Sequence, residues 1–287
     1  KIRSKRPATV DEPQVIGWDA VGEVVAVGAK VQDFAVGDRV FYAGALDRPG
    51  SNAEYQLVDA RIVGHAPESL SDPEAAALPL TAITAWELLF DRLGVAEGSG
   101  AGQTLLVIGA AGGVGSILVQ LARQLTELTV VGTAAREESA EWAKELGAHH
   151  VIDHSKPMLA QLQALGIESV ELIASLTHTK DHYAQYIECI APQGKLGVID
   201  DFDSIDITQL KSKSASFHWE FMFARSLYQT ADMAEQGVLL NRVAELLDAS
   251  ALRTTLGEHY GVINAANLMR AHALLESGKA RGKLVLE

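Results

Sequence analysis

From residue 104 onward, short apolar runs alternate with stretches whose apolar residues recur with a period near 3.6. The run TLLVIG at 104–109 reads as a strand buried on both faces. Val114, Ile117, Leu118, Leu121, Ala122 and Leu125 then form one stripe of a helix over 113–125. The same pattern predicts strands over 128–133, 149–153, 169–174 and 195–199. Helices are predicted between them, one ending at Gly147 and others over 157–165 and 180–190. Each intervening segment is long enough for a crossover between parallel strands, so the predicted fold class is α/β with a doubly wound parallel sheet. SASFHWEFMF at 214–223 predicts a sixth strand.

The flanking segments read differently. Residues 14–65 alternate with period two between turns: two β-rich runs surround Gly22, and a turn at Gly37-Asp38 precedes another strand. NAEYQLVD at 52–59 alternates as a half-buried strand should. Ser71 or Asp72 is positioned to cap a helix with Pro73 at its start. A second helix is predicted over 81–92, with Ala82, Ala85, Trp86, Leu89 and Leu93 on one face. Helices over 229–248 and 264–278 and a terminal strand in KLVLE follow. The expected organisation is a β-rich domain from 1–85 plus 251–287, and a nucleotide-type domain from 86–250.

The most informative stretch joins strand 104–109 to helix 113–125. Gly109, Gly112, Gly113 and Gly115, with Ala110 and Val114 among them, make a turn that bends sharply and lets a ligand approach the backbone. It leaves the helix N-terminus, with unpaired N–H groups and a positive dipole end, facing a diphosphate. With a strand before and a helix after, this is the context a dinucleotide site requires, so NAD or NADP is the expected cofactor.

Motifs along the chain extend that reading. GWDAVGEVVAVG at 17–28, GDRV at 37–40, GSNAEY at 50–55, AAALPLTAITAW at 75–86, GAAGGVG at 109–115, ELGAHHVIDH at 145–154 and SGKARGKLVLE at 277–287 occur in this order. Together they resemble the medium-chain dehydrogenase/reductase superfamily, on its zinc-free quinone oxidoreductase side and within a subgroup called zinc-type alcohol dehydrogenase-like. The resemblance implies a GroES-like β-rich catalytic domain beside a Rossmann domain. It also implies that the chain lacks an N-terminal portion that relatives carry.

Zinc is disfavoured, because Trp18 stands where zinc-bearing relatives place a ligating histidine and indole cannot bind a metal. No cysteine lies near Leu80, where such relatives place another ligand, and the four-cysteine structural lobe is missing. His149, His150 and His154 with Asp153 are the densest alternative cluster, and they read equally as a polar strand end. NAD enzymes place an acid at the end of the second strand to bind the ribose 2′-hydroxyl. Here the family pattern puts Ala134 at that position, with Arg136 two residues on, which suits the 2′-phosphate of NADPH; Glu137 or Glu138 swinging to the ribose is the alternative. His154 matches a position that stacks on adenine in relatives. Thr84 matches a threonine that contacts nicotinamide, and Tyr42 is the best-placed phenol to bond a substrate carbonyl. For both, plain packing is the competing reading. Cys189 reads as a packed residue.

Without zinc to polarise it, the electrophile is expected to be a quinone or an α,β-unsaturated carbonyl. The implied function is an NADPH-dependent, zinc-independent reductase, working as a homodimer. The alternatives are a zinc-type alcohol dehydrogenase and a non-catalytic NADPH-binding relative. Composition narrows the partners further. A net charge of −13 disfavours nucleic acid and anionic membrane, and a single cysteine among 287 residues excludes a disulfide framework. No apolar run approaches the roughly 20 residues of a membrane span. A reducing cytoplasm is the expected compartment.

Overall fold

The early alternating segment folds into three short antiparallel strands, β1 (Ala20–Glu23), β2 (Arg39–Tyr42) and β3 (Val63–His65), in the order β1-β2-β3. The structure is a computed structural model that describes residues 13–287. The turn before β2 follows from its residues: Gly37 takes φ +97°, and the Asp38 carboxylate accepts the Ala35 N–H at 2.8 Å. Segment 52–59, predicted as a strand, is not one. Tyr55 and Leu57 are 75% and 80% exposed, whereas Gln56 and Val58 turn inward, so the alternating set that holds Tyr55 and Leu57 is not the buried one. The Gln56 amide is spent on the Pro49 carbonyl at 2.9 Å rather than on a neighbouring strand.

Helix α1 (Asp72–Ala76) starts at Ser71, whose N–H and hydroxyl both donate to Glu74 Oε2, at 3.0 and 2.6 Å. Helix α2 (Pro79–Trp86) does not run on as α-helix to 92 as predicted; 87–92 widen into a π-turn, closed by Leu93 N–H to the Leu88 carbonyl at 2.9 Å.

The strands and helices that follow alternate as the apolar pattern requires: β4 (Thr104–Ile108), α3 (Gly113–Leu125), β5 (Thr129–Thr133), α4 (Glu137–Glu145), β6 (His150–Ile152), α5 (Met158–Ala164), β7 (Val170–Ser175), α6 (Thr179–Cys189), β8 (Ile190–Val198) and β9 (Ser216–Trp219). All six strands are parallel, in the order β6-β5-β4-β7-β8-β9. This is the doubly wound Rossmann arrangement, with its order reversing between β4 and β7. One face packs Leu106, Ile108, Val131, Ile173, Leu196 and Val198 against Met158, Leu162, Tyr183 and Tyr186 from the helices.

The chain ends in α7 (Ala224–Tyr228), α8 (Glu235–Asp248), β10 (Leu256–His259), α9 (Ala265–Glu276) and β11 (Lys283–Val285), with β10 and β11 paired in parallel. The helix predicted over 229–248 therefore begins at Glu235, because Gln229 takes a left-handed φ of +49° and breaks the turn. The chain forms two compact units, one of residues up to Ile83 with Met222–Glu287, the other Thr84–Phe221. The boundary expected at 250 moves to 221 because α8 belongs with β3. A Cβ on Gly64 would come within 2.6 Å of Leu240 Cβ, and one on Gly237 within 2.8 Å of the Val63 carbonyl. Glycine on both partners brings helix and strand into contact. Asn241 then accepts the His65 N–H at 2.8 Å, and Asp248 accepts the Glu68 and Ser69 N–H groups. No helix among the described residues is long and apolar enough to cross a membrane.

Candidate functional site

The carboxyl ends of β4 and β7, where strand order reverses, are the place such a sheet offers a ligand. At the end of β4, Gly109 adopts φ +82° and its N–H donates to Thr133 Oγ1 at 3.1 Å, tying the turn to β5. Gly112 caps α3 with extended backbone (φ −74°, ψ 178°), and its N–H donates to the Gly109 carbonyl at 3.1 Å. The next three residues, Gly113, Val114 and Gly115, open the helix, so their N–H groups have no partner within it. Close packing holds the turn in shape. A Cβ on Gly115 would sit 2.7 Å from Ala110 Cα, and one on Gly132 2.9 Å from Ala110 Cβ. Gly132 and Thr133, which sequence reasoning did not single out, are thus part of the cradle. A glycine inside an apolar strand was the available signal for the first.

The neighbouring strand ends bring the other expected groups to the same edge. Ala134, directly after β5, is buried, and its N–H donates to the Ile152 carbonyl at 3.0 Å. Arg136 is exposed at the N-cap of α4, followed by exposed Glu137 and Glu138. His154 follows β6, with its ring 5.5 Å edge-on from that of His182 in the first turns of α6. Burial holds both imidazoles below the ordinary histidine value, more than the Asp153 charge can offset at His154. His154 Nδ1 is buried without a hydrogen-bond partner. Between them, after β7, Leu176 N–H donates to the Ile108 carbonyl at 3.3 Å, which sets Thr177 and His178 beside the glycine turn.

Two members of the cluster weighed as a metal site, His149 and Asp153, are engaged in local structure. His149 Nδ1 accepts the Val130 N–H at 3.0 Å, and its Nε2 lies 2.8 Å from Arg123 Nη1. Asp153 is held down to about 2 by the Ser155 hydroxyl and N–H, at 2.6 and 2.9 Å. Around Trp18 the donor set does not fit zinc either. The Trp18 ring is buried and Leu80 offers no donor side chain. The adjacent carboxylate, Asp19, takes the Leu80 N–H at 2.7 Å on one oxygen and Lys283 Nζ at 2.5 Å on the other. A cation there would have to displace an ammonium already in place. Among the described residues no group of three or more His, Cys, Asp and Glu is arranged to hold a metal.

Thr84 is buried in α2, within the nucleotide-type unit. Tyr42 ends β2 in the other unit, buried in a cluster with Val40 and Val63 that pushes its phenol above the ordinary value. Cys189 lies in the sheet core, its thiol raised to about 11 by burial, which is the state of a packing residue rather than a nucleophile.

One buried charge cluster escaped the sequence pattern. Glu220, just after β9, accepts from Arg92 Nε at 2.9 Å, while Glu87 Oε2 lies 3.9 Å from Arg92 Nη2; both carboxyls are almost wholly buried. Two carboxylates over one guanidinium retain a proton. Burial first, and the Glu87 charge second, push Glu220 up to about 8. A carboxyl raised on folding contributes stability that is complete below the ordinary glutamate value and is lost as pH rises through the raised one. Glu220→Gln, neutral throughout, is therefore expected to flatten the fall in Tm between pH 6 and pH 9 measured by calorimetry. A variant curve parallel to wild type would remove the shared-proton assignment.

Comparison with known proteins bears on the family and the fold. A family model described as "Zinc-binding dehydrogenase" matches residues 146–286, and one described as "Alcohol dehydrogenase GroES-like domain" matches residues 1–68. A zinc-type alcohol dehydrogenase-like protein of Staphylococcus aureus is 39% identical over 287 residues, covering 99% of this chain and 85% of that protein. The crystal structure of a candidate zinc-dependent alcohol dehydrogenase protein from Rhizobium etli has 54% identity and a TM-score of 0.95, covering 100% of this chain and 84% of its own. A quinone oxidoreductase from Pseudomonas syringae has 25% identity and a TM-score of 0.81, covering 99% and 84%.

Proposed function

The chain belongs to the medium-chain dehydrogenase/reductase superfamily and is an oxidoreductase of that family; on that premise we propose that it is an NADPH-dependent, zinc-independent reductase of quinones or α,β-unsaturated carbonyls. The observation that carries the reading is the carboxyl edge of β4, β5 and β6. There the open amides of Gly113–Gly115, the small Ala134, the exposed cation Arg136 and the half-buried His154 ring line up along the sheet. This order suits a diphosphate on the helix N-terminus, a 2′-phosphate on Arg136 and an adenine beside His154.

Bound there, NADPH supplies the hydride. The chain's own part is to hold and orient the donor and to keep the carbonyl polarised. Thr84 is assigned to the nicotinamide and the Tyr42 O–H to the substrate oxygen, the roles their motif positions suggest. Zinc independence rests on the positions where zinc-bearing relatives place ligands: here they hold an indole and an isobutyl chain. The adjacent carboxylate is paired with Lys283, and no group of three or more His, Cys, Asp and Glu among the described residues is arranged to hold a metal. A quinone or enone takes hydride at carbon without a Lewis acid, which an unactivated ketone does not. The homodimer is assigned to the open edge of β9, where Trp219 and Phe221 are 52% and 50% exposed.

The test is loss of NADPH absorbance with ortho- and para-quinones and an enone, beside thermal shifts with NADPH and NADH. Turnover without added metal, unchanged by chelator, is expected. A thermal shift without turnover on any acceptor would favour a binding protein that has lost catalysis, and activity that needs stoichiometric zinc would overturn zinc independence.

A further inference from the structure

The end of β7 is tied to the end of β8 by a buried chain of hydroxyl groups that the proposed reaction does not use. Ser175, the last residue of β7, is fully buried. Its Oγ lies 2.7 Å from Thr179 Oγ1 and 2.8 Å from Tyr186 Oη, both on α6 and both fully buried. Thr179 in turn bonds Asp200, just beyond β8, through its hydroxyl to Oδ1 and through its N–H to Oδ2 at 3.1 Å. Donor chemistry orders this chain. An ionised carboxylate only accepts, so the single Thr179 proton goes to Asp200. The Thr179 oxygen then accepts from Ser175, and Ser175 accepts from Tyr186. Every hydroxyl proton is committed in one direction, Tyr186 to Ser175 to Thr179 to Asp200, and such chains reinforce themselves in a dry interior.

What the chain clamps is the three-residue link between Ser175 and Thr179. Within it, His178 adopts left-handed backbone (φ 53°, ψ 33°), uncommon for a residue other than glycine although histidine visits it more readily than most. Thr177 Cγ2 is 3.1 Å from where a Cβ on Gly109 would stand, and the Leu176 N–H is bonded to the end of β4. The anchored link therefore fills the space beside the first glycine of the cradle, where a side chain at 109 would stand, at the point where strand order reverses.

Resting on the dinucleotide reading above, we propose that Asp200 is a positioning residue: acting through Thr179 and Ser175, it holds the 176–178 link closed against Gly109 and so shapes the cofactor site without itself touching the cofactor. Asp200→Ala and Thr179→Val are the variants to measure, with Thr179→Ser as the rescue because it keeps the hydroxyl. Titration of the full chain with NADPH is expected to show Kd raised about tenfold in both variants, with Thr179→Ser close to wild type. In steady-state assays KM for NADPH should rise while kcat stays within about twofold. Amide exchange at Leu176–Asp181 should accelerate in Asp200→Ala relative to the rest of the sheet. Should Thr179→Val destabilise the unit, Asp200→Ala, altered at a half-exposed position, carries the test alone. Unchanged NADPH affinity in Asp200→Ala, or Thr179→Ser no better than Thr179→Val, overturns the positioning role and leaves the dinucleotide reading standing. Wild type that binds neither NADPH nor NADH overturns both.

Discussion

Gly115→Ala is expected to abolish measurable NADPH binding while Gly112→Ala, three residues earlier in the same turn, leaves most of it. The two glycines differ in what lies behind them. A methyl on Gly115 would meet Ala110 Cα and the Ala110 carbonyl carbon, each at 2.7 Å, and the Gly109 oxygen closer still; all are backbone. Ala110 cannot retreat, because its own Cβ already fills the space left by Gly132 on β5. Helix α3 would have to lift from β4, at a cost of about 1–3 kcal/mol for a tightly packed site. That movement would carry away the amides that face the diphosphate. At Gly112 the nearest atom is the Gly109 oxygen at 3.4 Å, and φ of −74° is open to any residue. Calorimetric titration of both variants checks the contrast, with circular dichroism as the control for folding. Equal losses in the two would mean that flexibility of the turn, not helix–strand contact, is what the ligand needs.

The glycine turn was legible because its requirements are local. A strand, a left-handed residue, a close approach and a helix start each ask for a residue type within a few positions, and helix α3 runs over 113–125 as its stripe predicts. Gly147, read as a helix stop, takes φ +112° two residues after α4 ends. Where partners are remote the pattern misled. Tyr55 and Leu57 in 52–59 face solvent, and α8 was assigned to the wrong unit because the Gly64–Gly237 approach joins residues far apart in sequence. The same reason hid the polar clusters. Glu87, Arg92 and Glu220, or Ser175, Thr179, Tyr186 and Asp200, form no motif, since each joins side chains far apart in sequence that only the folded sheet and its helices bring together. Groups that recognise a cofactor through backbone and single exposed charges can be read from a sequence; groups that hold that recognition in place require the topology.

Arg136→Ala is expected to weaken NADPH by one to two orders of magnitude and to leave NADH within about twofold. The guanidinium is exposed at the N-cap of α4, two residues beyond the buried Ala134 that follows the strand. A guanidinium paired with a phosphate dianion contributes about 1.5–3 kcal/mol through charge-assisted bonds, and about 1.4 kcal/mol is one decade of affinity. The overall charge of −13 works against any phosphate approaching, so a local cation matters more here than on a neutral protein. Because the site is exposed, the preference should also shrink as salt rises, since the Debye length falls to roughly 8 Å near physiological ionic strength. NADH lacks the phosphate and gains nothing from Arg136. Glu137 and Glu138, in the first turn of the same helix, supply the competing arrangement, a carboxylate on the ribose 2′-hydroxyl. If they held the ribose, wild type would prefer NADH, and Arg136→Ala would change both cofactors alike. Titrating each variant with both cofactors at two salt concentrations separates the two arrangements, and equal losses would withdraw the 2′-phosphate from Arg136.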